Sequence, residues 1–353
     1  MGVVSGVQTL IVEPDEGDQR IDRWLRRRFP HVGQGRIEKM CRKGELRLDG
    51  GRVKASSRVA VGQSVRVPPL PEPGEVTAKA VPVRPRISEA DARMIQEAVI
   101  YRDDDIIALN KPPGLPTQGG SGQKRHVDGL AEALQFDAPD KPRLVHRLDK
   151  DTSGVLLLAR SRRAAQALSD ALRARETRKI YWAVVAGAPS PAMGTVRYGL
   201  VKAGGHGAKG EGEKMHCVLP SEVASTPDAK RAVTDYAVLS SLAKRASWVA
   251  LVPVTGRTHQ LRAHMAEIGH PIVGDGKYGG SSQENLGDGW GAQMGGEFSR
   301  KLHLHARYLE LTHPMTGARL TLTAPLPAHM AQTWEAIGWH SADVPADPFE
   351  EEF

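Results

Sequence analysis

The spacing of apolar residues changes period several times along this chain, and each change marks an element. Residues 8–12 alternate as a short strand, whereas 19–29 carry Ile21, Leu25 and Phe29 at i, i+4 and i+8, which is helical spacing. A second helix fits 35–43. Within 45–53, Leu46 and Leu48 alternate with polar residues, and Asp49-Gly50-Gly51 supplies a hairpin turn. Prolines then crowd positions 68, 69, 71, 73, 82 and 85, a density that favours extended backbone over helix and predicts a linker over 67–88. A short helix near 89–97 and a strand at 106–110 open a second region, and Lys111-Pro112-Pro113-Gly114 breaks that strand into a loop. Residues 155–159 form a continuous apolar run of the kind that makes a fully buried strand. Ser161 is placed to cap a helix to about Arg175, with Ala164, Ala165, Leu168, Ala171 and Leu172 along its buried stripe. A strand returns at 180–186.

Two glycine-rich stretches, 204–214 and 279–296, read as loops. Neither follows a strand and opens a helix, as a dinucleotide fingerprint must. The acidic, proline-bearing end at 341–353 is expected to lack order. The resulting division is 1–66, a small basic domain; 67–88, the linker; 89–340, a larger domain; and 341–353, the tail. A length of 353 residues has room for two such cores.

Charge changes this picture more than composition does. The formal net charge is +7, yet between Gln19 and Arg66 fourteen Arg or Lys stand against four acids, a local excess of +10, so the rest of the chain sums to −3. Arg36, Lys39, Arg42 and Lys43 share one face of the second helix, opposite Ile37, Met40 and Cys41, and such a cationic stripe suits a phosphate backbone. The only cysteines, Cys41 and Cys217, fall in different predicted domains and outside any ligand spacing, which argues against a disulfide or structural zinc. No apolar run approaches the length of a membrane span, so a cytoplasmic protein is expected.

The densest chemistry lies at 144–154, LVHRLDKDTSG, where His146, Arg147, Asp149, Lys150 and Asp151 occupy six positions just before the buried strand. Turn chemistry accounts for the Asp, Thr, Ser and Gly, but a pocket accounts for the whole set. HRLDKDTSG resembles the signature of the large-subunit ribosomal RNA pseudouridine synthases, the RluA/RluC/RluD group. Three further segments of that family follow in order: NKPPGLPTQGG from Asn110, KIYWAVVAG from Lys179 and GRTHQLRAHMAEIGHPIVGDGKYGG from Gly256. The resemblance runs from about Asp103 to Trp339. The helix, helix, hairpin order of the basic domain resembles an S4 RNA-binding domain. That domain, the Asn285-Leu286-Gly287-Asp288-Gly289-Trp290 loop and the LHLHAR segment look most like RluC-type members.

The resemblance implies an α+β fold, with a mixed, mostly antiparallel sheet flanked by helices and loops behind a small S4-like domain. It implies an isomerase that detaches uracil from C1′ through N1 and reattaches it through C5, which needs neither cofactor nor metal. Asp149 is then the catalytic carboxylate, Arg262 its counter-ion, Tyr181 the aromatic against the uracil, and Arg147 a group that fills the flipped nucleotide's place or holds phosphate. Burial disfavours an ionised carboxylate and a nearby cation restores it, so a buried arginine is expected close to Asp149. Attack at C6, attack at C1′ and proton removal from C2′ all remain open. A paired uridine must be flipped out at a cost of about a few kcal/mol, which phosphate contacts would offset.

His259, His264, His270, His303 and His305 read as structural groups rather than metal ligands, for only Asp275 lies near them as a carboxylate and no HExxH spacing occurs. Lys111 reads as a turn lysine without a role. The expected partner is large-subunit rRNA or an assembling subunit, bound by a monomer. Two competing readings are a non-catalytic RNA-binding assembly factor, which would be indifferent to Asp149→Asn, and a metal-dependent phosphodiesterase, which would need a carboxylate cluster.

Overall fold

A computed structural model of the chain describes residues 6–70, 87–119, 125–174, 177–202, 214–279, 299–345 and 347–349. The chain divides into two compact units, Met1–Arg86 and Ile87–Phe353. The glycine-rich stretches, apart from Lys214 and Gly279, lie outside the described residues, as do the 285–290 loop and 71–86 of the predicted linker.

The first unit runs β1 (Gln8–Ile11), β2 (Gln19–Arg20), α1 (Ile21–Arg28), α2 (Gln34–Lys43), β3 (Arg47–Leu48), β4 (Gly51–Arg52), β5 (Arg58–Val59) and β6 (Ser64–Val67). Its sheet has the order β1-β6-β3-β4, all antiparallel, with β2 and β5 paired separately. Ile21, Trp24 and Leu25 of α1 and Ile37 and Met40 of α2 are fully buried against Val65 and Val67 of β6. Arg36, Lys39, Arg42 and Lys43 are all exposed on the opposite face of α2. The domain's edge lies later than the proline pattern suggests. Val67 pairs with Gln8 and is fully buried, Pro68 is buried, and Leu70 packs on the same core, because an apolar residue at the end of an inner strand is worth more inside than in a linker.

The second unit runs α3 (Glu89–Glu97), β7 (Val99–Arg102), β8 (Ile106–Lys111), α4 (Val127–Leu130), β9 (Arg143–Leu144), β10 (Ser153–Ala159), α5 (Arg162–Ala174) and β11 (Arg178–Ala186). It continues with β12 (Met193–Lys202), β13 (Met215–Val218), β14 (Lys230–Leu242), β15 (Ala246–Pro253), α6 (Gln260–Glu267), β16 (Leu304–Thr312), β17 (Arg319–Thr323) and α7 (Ala328–Ile337). Its eleven-stranded sheet is ordered β13-β12-β14-β15-β11-β16-β10-β8-β7, with β17 on β16 and β9 on β10. Every pair is antiparallel except β10 with β16, so the fold is mixed and mostly antiparallel, as expected.

All seven residues of β10 are buried, because both faces of the sheet are covered there. Leu156 and Leu158 join one core with Ile107 and Leu109, while Val155 and Leu157 join another with Ile106 and Ala108. In α5 the stripe is narrower than the pattern implies: Ala164 and Leu168 are buried and Ala165, Ala171 and Leu172 only half so. Ser161 caps it, its hydroxyl accepting from Ala164 N–H at 3.0 Å. The described part of the tail, residues 341–345 and 347–349, departs from the disorder expected for 341–353. Asp347 accepts two hydrogen bonds from Arg178, at 2.5 and 2.8 Å, and the Arg178 guanidinium lies over the Phe349 ring, so a charge pair and an aromatic contact hold it. Cys41 and Cys217 are free thiols in separate units. Among the described residues no helix is long and apolar enough to cross a membrane.

Candidate active site

Asp149 stands on the loop between β9 and β10, at the edge of a cavity of about 1240 Å³. The loop is extended there, so Leu148 turns into the core while Arg147, exposed, and Asp149 both face the cavity. Its backbone is pinned on both sides of the carboxylate. Thr117 Oγ1 donates to Leu148 O at 2.7 Å and accepts from Leu148 N–H at 3.1 Å. Lys150 O accepts from Lys111 Nζ at 3.0 Å and from Gly114 N–H at 2.9 Å. Behind it, His146 Nε2 accepts from Leu157 N–H at 2.9 Å, fastening the loop to β10.

Gly154 makes the junction with β16 possible. Its φ is +105°, and a Cβ there would fall on the carbonyl of Ala306, the residue paired with it across the parallel β10/β16 contact. Ser153 Oγ and His305 Nδ1 close the same junction at 2.8 Å. Lys111, read as a turn lysine, is fully buried and donates to Pro112 O, Leu115 O and Lys150 O at 2.9 to 3.0 Å. Burial pulls its pKa down to about 7 against the opposing pull of Asp151 and Asp149. Its buried position follows from β8 running one residue further than the pattern showed.

Arg262 reaches Asp149 from α6. Nε and Nη2 of its guanidinium donate to the two oxygens of Asp275, each at 2.7 Å, and Nη1 is left 3.7 Å from Asp149 Oδ2. Burial works against the charged form of Arg262, but the bonds and charge of Asp275, then the charge of Asp149, outweigh it and raise its pKa. A separation of 3.7 Å attracts without a direct hydrogen bond, so the Asp149 oxygens stay open toward the cavity. Asp275, 1% exposed, is held by a turn in which Gly274 has φ +75° and a Cβ would collide with Lys301 O.

The segment before α6 is equally tied. Gln260 Oε1 accepts from Thr255 Oγ1 at 2.6 Å and from Arg257 N–H at 3.1 Å, while its Nε2 donates to Val233 O at 2.8 Å. Tyr181 lies on β11 beside a register shift between Ile180 and Tyr181, lines the cavity, and is raised in pKa by burial and then by the Asp149 charge. Trp182, its neighbour, points into the tryptophan core with Trp248 and Trp334. Asp149, Arg147, Tyr181 and Arg262 therefore line one cavity. Arg36, Lys39, Arg42 and Lys43 lie in the other unit.

Three groups at or behind the cavity had no assigned part in the sequence. His259 Nε2 is 3.8 Å from Asp149 Oδ2. Asp275 holds the counter-ion. Lys179, two residues before Tyr181 on the same side of β11, lines the cavity, has its pKa lowered by burial, and has no carboxylate partner among the described residues. The apolar alternation of β11 carried the signal for Lys179. The other histidines are bound into the core: His264 Nδ1 meets Thr234 Oγ1 at 2.9 Å and His303 Nε2 meets Thr333 Oγ1 at 2.9 Å.

A buried arginine is thus shared between a structural carboxylate, Asp275, and an open one, Asp149, just ahead of the strand that pairs in parallel with β16. A family model described as RNA pseudouridylate synthase matches residues 105–267, and the chain belongs to that family. More particularly, it is similar to the ribosomal large subunit pseudouridine synthase C of Vibrio cholerae serotype O1, with 35% identity over 92% of this chain and 95% of that one. The protein of the same name from Salmonella typhi is 34% identical over 94% of this chain and 97% of its own length. Among solved structures, human RNA pseudouridylate synthase domain containing 4 superposes with a TM-score of 0.56 and 31% identity, covering 70% of this chain and 95% of that one.

Proposed function

We propose that this protein isomerises uridine to pseudouridine in large-subunit ribosomal RNA, with Asp149 reacting as nucleophile or base on a flipped-out nucleotide. The observation that carries the reading is the open Asp149 carboxylate, 3.7 Å from the buried Arg262 and facing a cavity large enough for a nucleotide. Arg262 supplies Asp149 with a buried cation, and its own charge is secured by Asp275, so the reacting acid does not depend on solvent for its counter-ion. Tyr181 offers an aromatic face to the loose uracil, which must turn between leaving C1′ through N1 and returning through C5. Arg147 and Lys179 supply positive charge at the cavity for the phosphates beside the target.

The exposed stripe of Arg36, Lys39, Arg42 and Lys43 on α2 supports an S4-like RNA grip by the first unit. The isomerisation involves no redox change and no hydrolysis, and one chain supplies every group named. The same reading makes the enzyme a cytoplasmic monomer that works on rRNA or an assembling subunit without a cofactor.

The test is release of tritium from uridine C5 in a large-subunit rRNA transcript, measured with and without EDTA. Wild-type protein is expected to release label regardless of chelator, and Asp149→Asn to release none. Label release by Asp149→Asn at the wild-type rate overturns the assignment of Asp149, and failure of the wild type on every rRNA fragment favours a binding factor.

A further inference from the structure

His259 occupies an unusual place for its residue type. It precedes α6 with φ +52° and ψ +19°, a left-handed backbone that a histidine adopts uncommonly, and it is 8% exposed. Its Nδ1 lies 3.0 Å from Tyr278 Oη, and that hydroxyl already accepts from Met215 N–H at 2.8 Å. The proton of Tyr278 has no other recorded acceptor among the described residues, so full pairing sends it to His259 Nδ1. An imidazole that accepts at Nδ1 carries its proton at Nε2. Nε2 is the atom that faces Asp149 Oδ2, at 3.8 Å. Electrostatics agrees with this tautomer, because the alternative would aim a nitrogen lone pair at a carboxylate. Burial first, and then the nearby Arg262 and Lys277, lower the pKa of His259 against the opposing pull of Asp149 and Asp275, which keeps the ring neutral with one N–H to place.

Resting on the reading of Asp149 as the reacting carboxylate, we propose that His259 is a positioning residue, its Nε2–H aimed at Asp149 by the Tyr278 hydroxyl. The donor then restrains one oxygen of the carboxylate, from a ring that lines the same cavity, while Arg262 balances its charge. The 3.8 Å gap leaves the contact to tighten when an RNA nucleotide enters, as catalytic hydrogen bonds commonly do. The left-handed backbone is what brings the ring to this side of the helix start, and the Gln260 bonds to Thr255 and Val233 hold it there.

Two substitutions separate this role from a merely structural one, because they rank oppositely. Asparagine tolerates the left-handed backbone better than glutamine, so a backbone role makes His259→Asn the milder change. Glutamine places an amide N–H where Nε2 stood, whereas asparagine reaches only as far as Nδ1, so a donor role makes His259→Gln the milder change. Steady-state tritium release with the full chain is expected to give His259→Gln a kcat within about threefold of wild type. His259→Asn and His259→Ala are expected to lose on the order of 100-fold in kcat, with KM for the rRNA transcript unchanged. Tyr278→Phe, which removes the hydroxyl that fixes the tautomer, is expected to fall between them. Near-UV circular dichroism and the thermal midpoint of each variant establish that it is folded.

If folded His259→Gln is as slow as His259→Ala, or if folded His259→Ala keeps full kcat, the assignment of His259 falls while that of Asp149 stands. If Asp149→Asn proves active in the same assay, both fall together.

Discussion

Arg262 divides its guanidinium between two acids with different duties. One edge is spent on Asp275, which is buried and saturated with donors, since its Oδ1 also accepts from Lys277 N–H and Tyr278 N–H at 2.9 and 3.1 Å. The remaining Nη1 serves Asp149, whose oxygens have no hydrogen bond among the described residues. Removing the Asp275 charge leaves a buried cation with one distant partner, and breaking such a pair typically costs about 3 to 5 kcal/mol. Asp275→Asn is therefore expected to lower the urea midpoint clearly and to slow turnover, because Arg262 is freed to close on Asp149. An unchanged midpoint would show that Asp275 does not anchor the arginine. The motifs single out Asp149 and Arg262, which the fold brings within 3.7 Å, but this division of the guanidinium was not legible, because it depends on a turn 13 residues away folding back on the helix. His259 was visible only as one of several histidines. Its neighbour Asp149 lies on another element, and local spacing carries no trace of such a meeting.

The strands that build the cavity were readable where both faces are buried, as in β10, and at the ends where turn residues are strong. They were less readable where tertiary packing overrides local pattern. Val67 looked like the start of a linker because prolines follow it, yet it finishes β6. Ala171 and Leu172 looked like core, yet α5 buries only a narrow stripe because the cavity opens beside its end, where Leu172 is a lining residue. Gly154 belongs to the same class of hidden constraint. Its positive φ and the Ala306 carbonyl on its Cβ position make any side chain there both strained and crowded. Gly154→Ala is expected to destabilise the second unit by more than about 2 kcal/mol and to release the amides of the β10/β16 junction in hydrogen exchange. Wild-type protection at Ser153 and Ala306 in that variant would contradict the close approach.

The two units carry different titrating groups, and this sets the order in which acid undoes them. Burial holds His264, His303 and His305 of the second unit at pKa values of about 4. Each binds a proton in the unfolded chain near pH 6.5 but resists it in the fold, so stability declines as pH falls from about 6.5 to about 4, by up to about 1.4 kcal/mol per pH unit per histidine. In the first unit, the Arg28 hydrogen bond is the main cause that lowers Glu16 from 4.5 to about 2, and the stability it adds is lost only as pH falls through that lower window. The second unit is thus expected to lose structure first on acidification. The indole signal of Trp24, which donates to Glu16 Oε2 at 2.8 Å, should persist in nuclear magnetic resonance spectra after those of Trp182, Trp248 and Trp334 have collapsed. Simultaneous loss of all four, or earlier loss of Trp24, would refute this order.

The single parallel strand contact also has a meaning in time. Ser153 and His305, which clasp across it, are 152 positions apart, and Gly154 cannot seat until Ala306 has been made. While a ribosome is still translating this chain, the growing polypeptide already displays Asp149 but still lacks Arg262 and Leu304 from the lining of its cavity. The site can close only after Ala306 has been made.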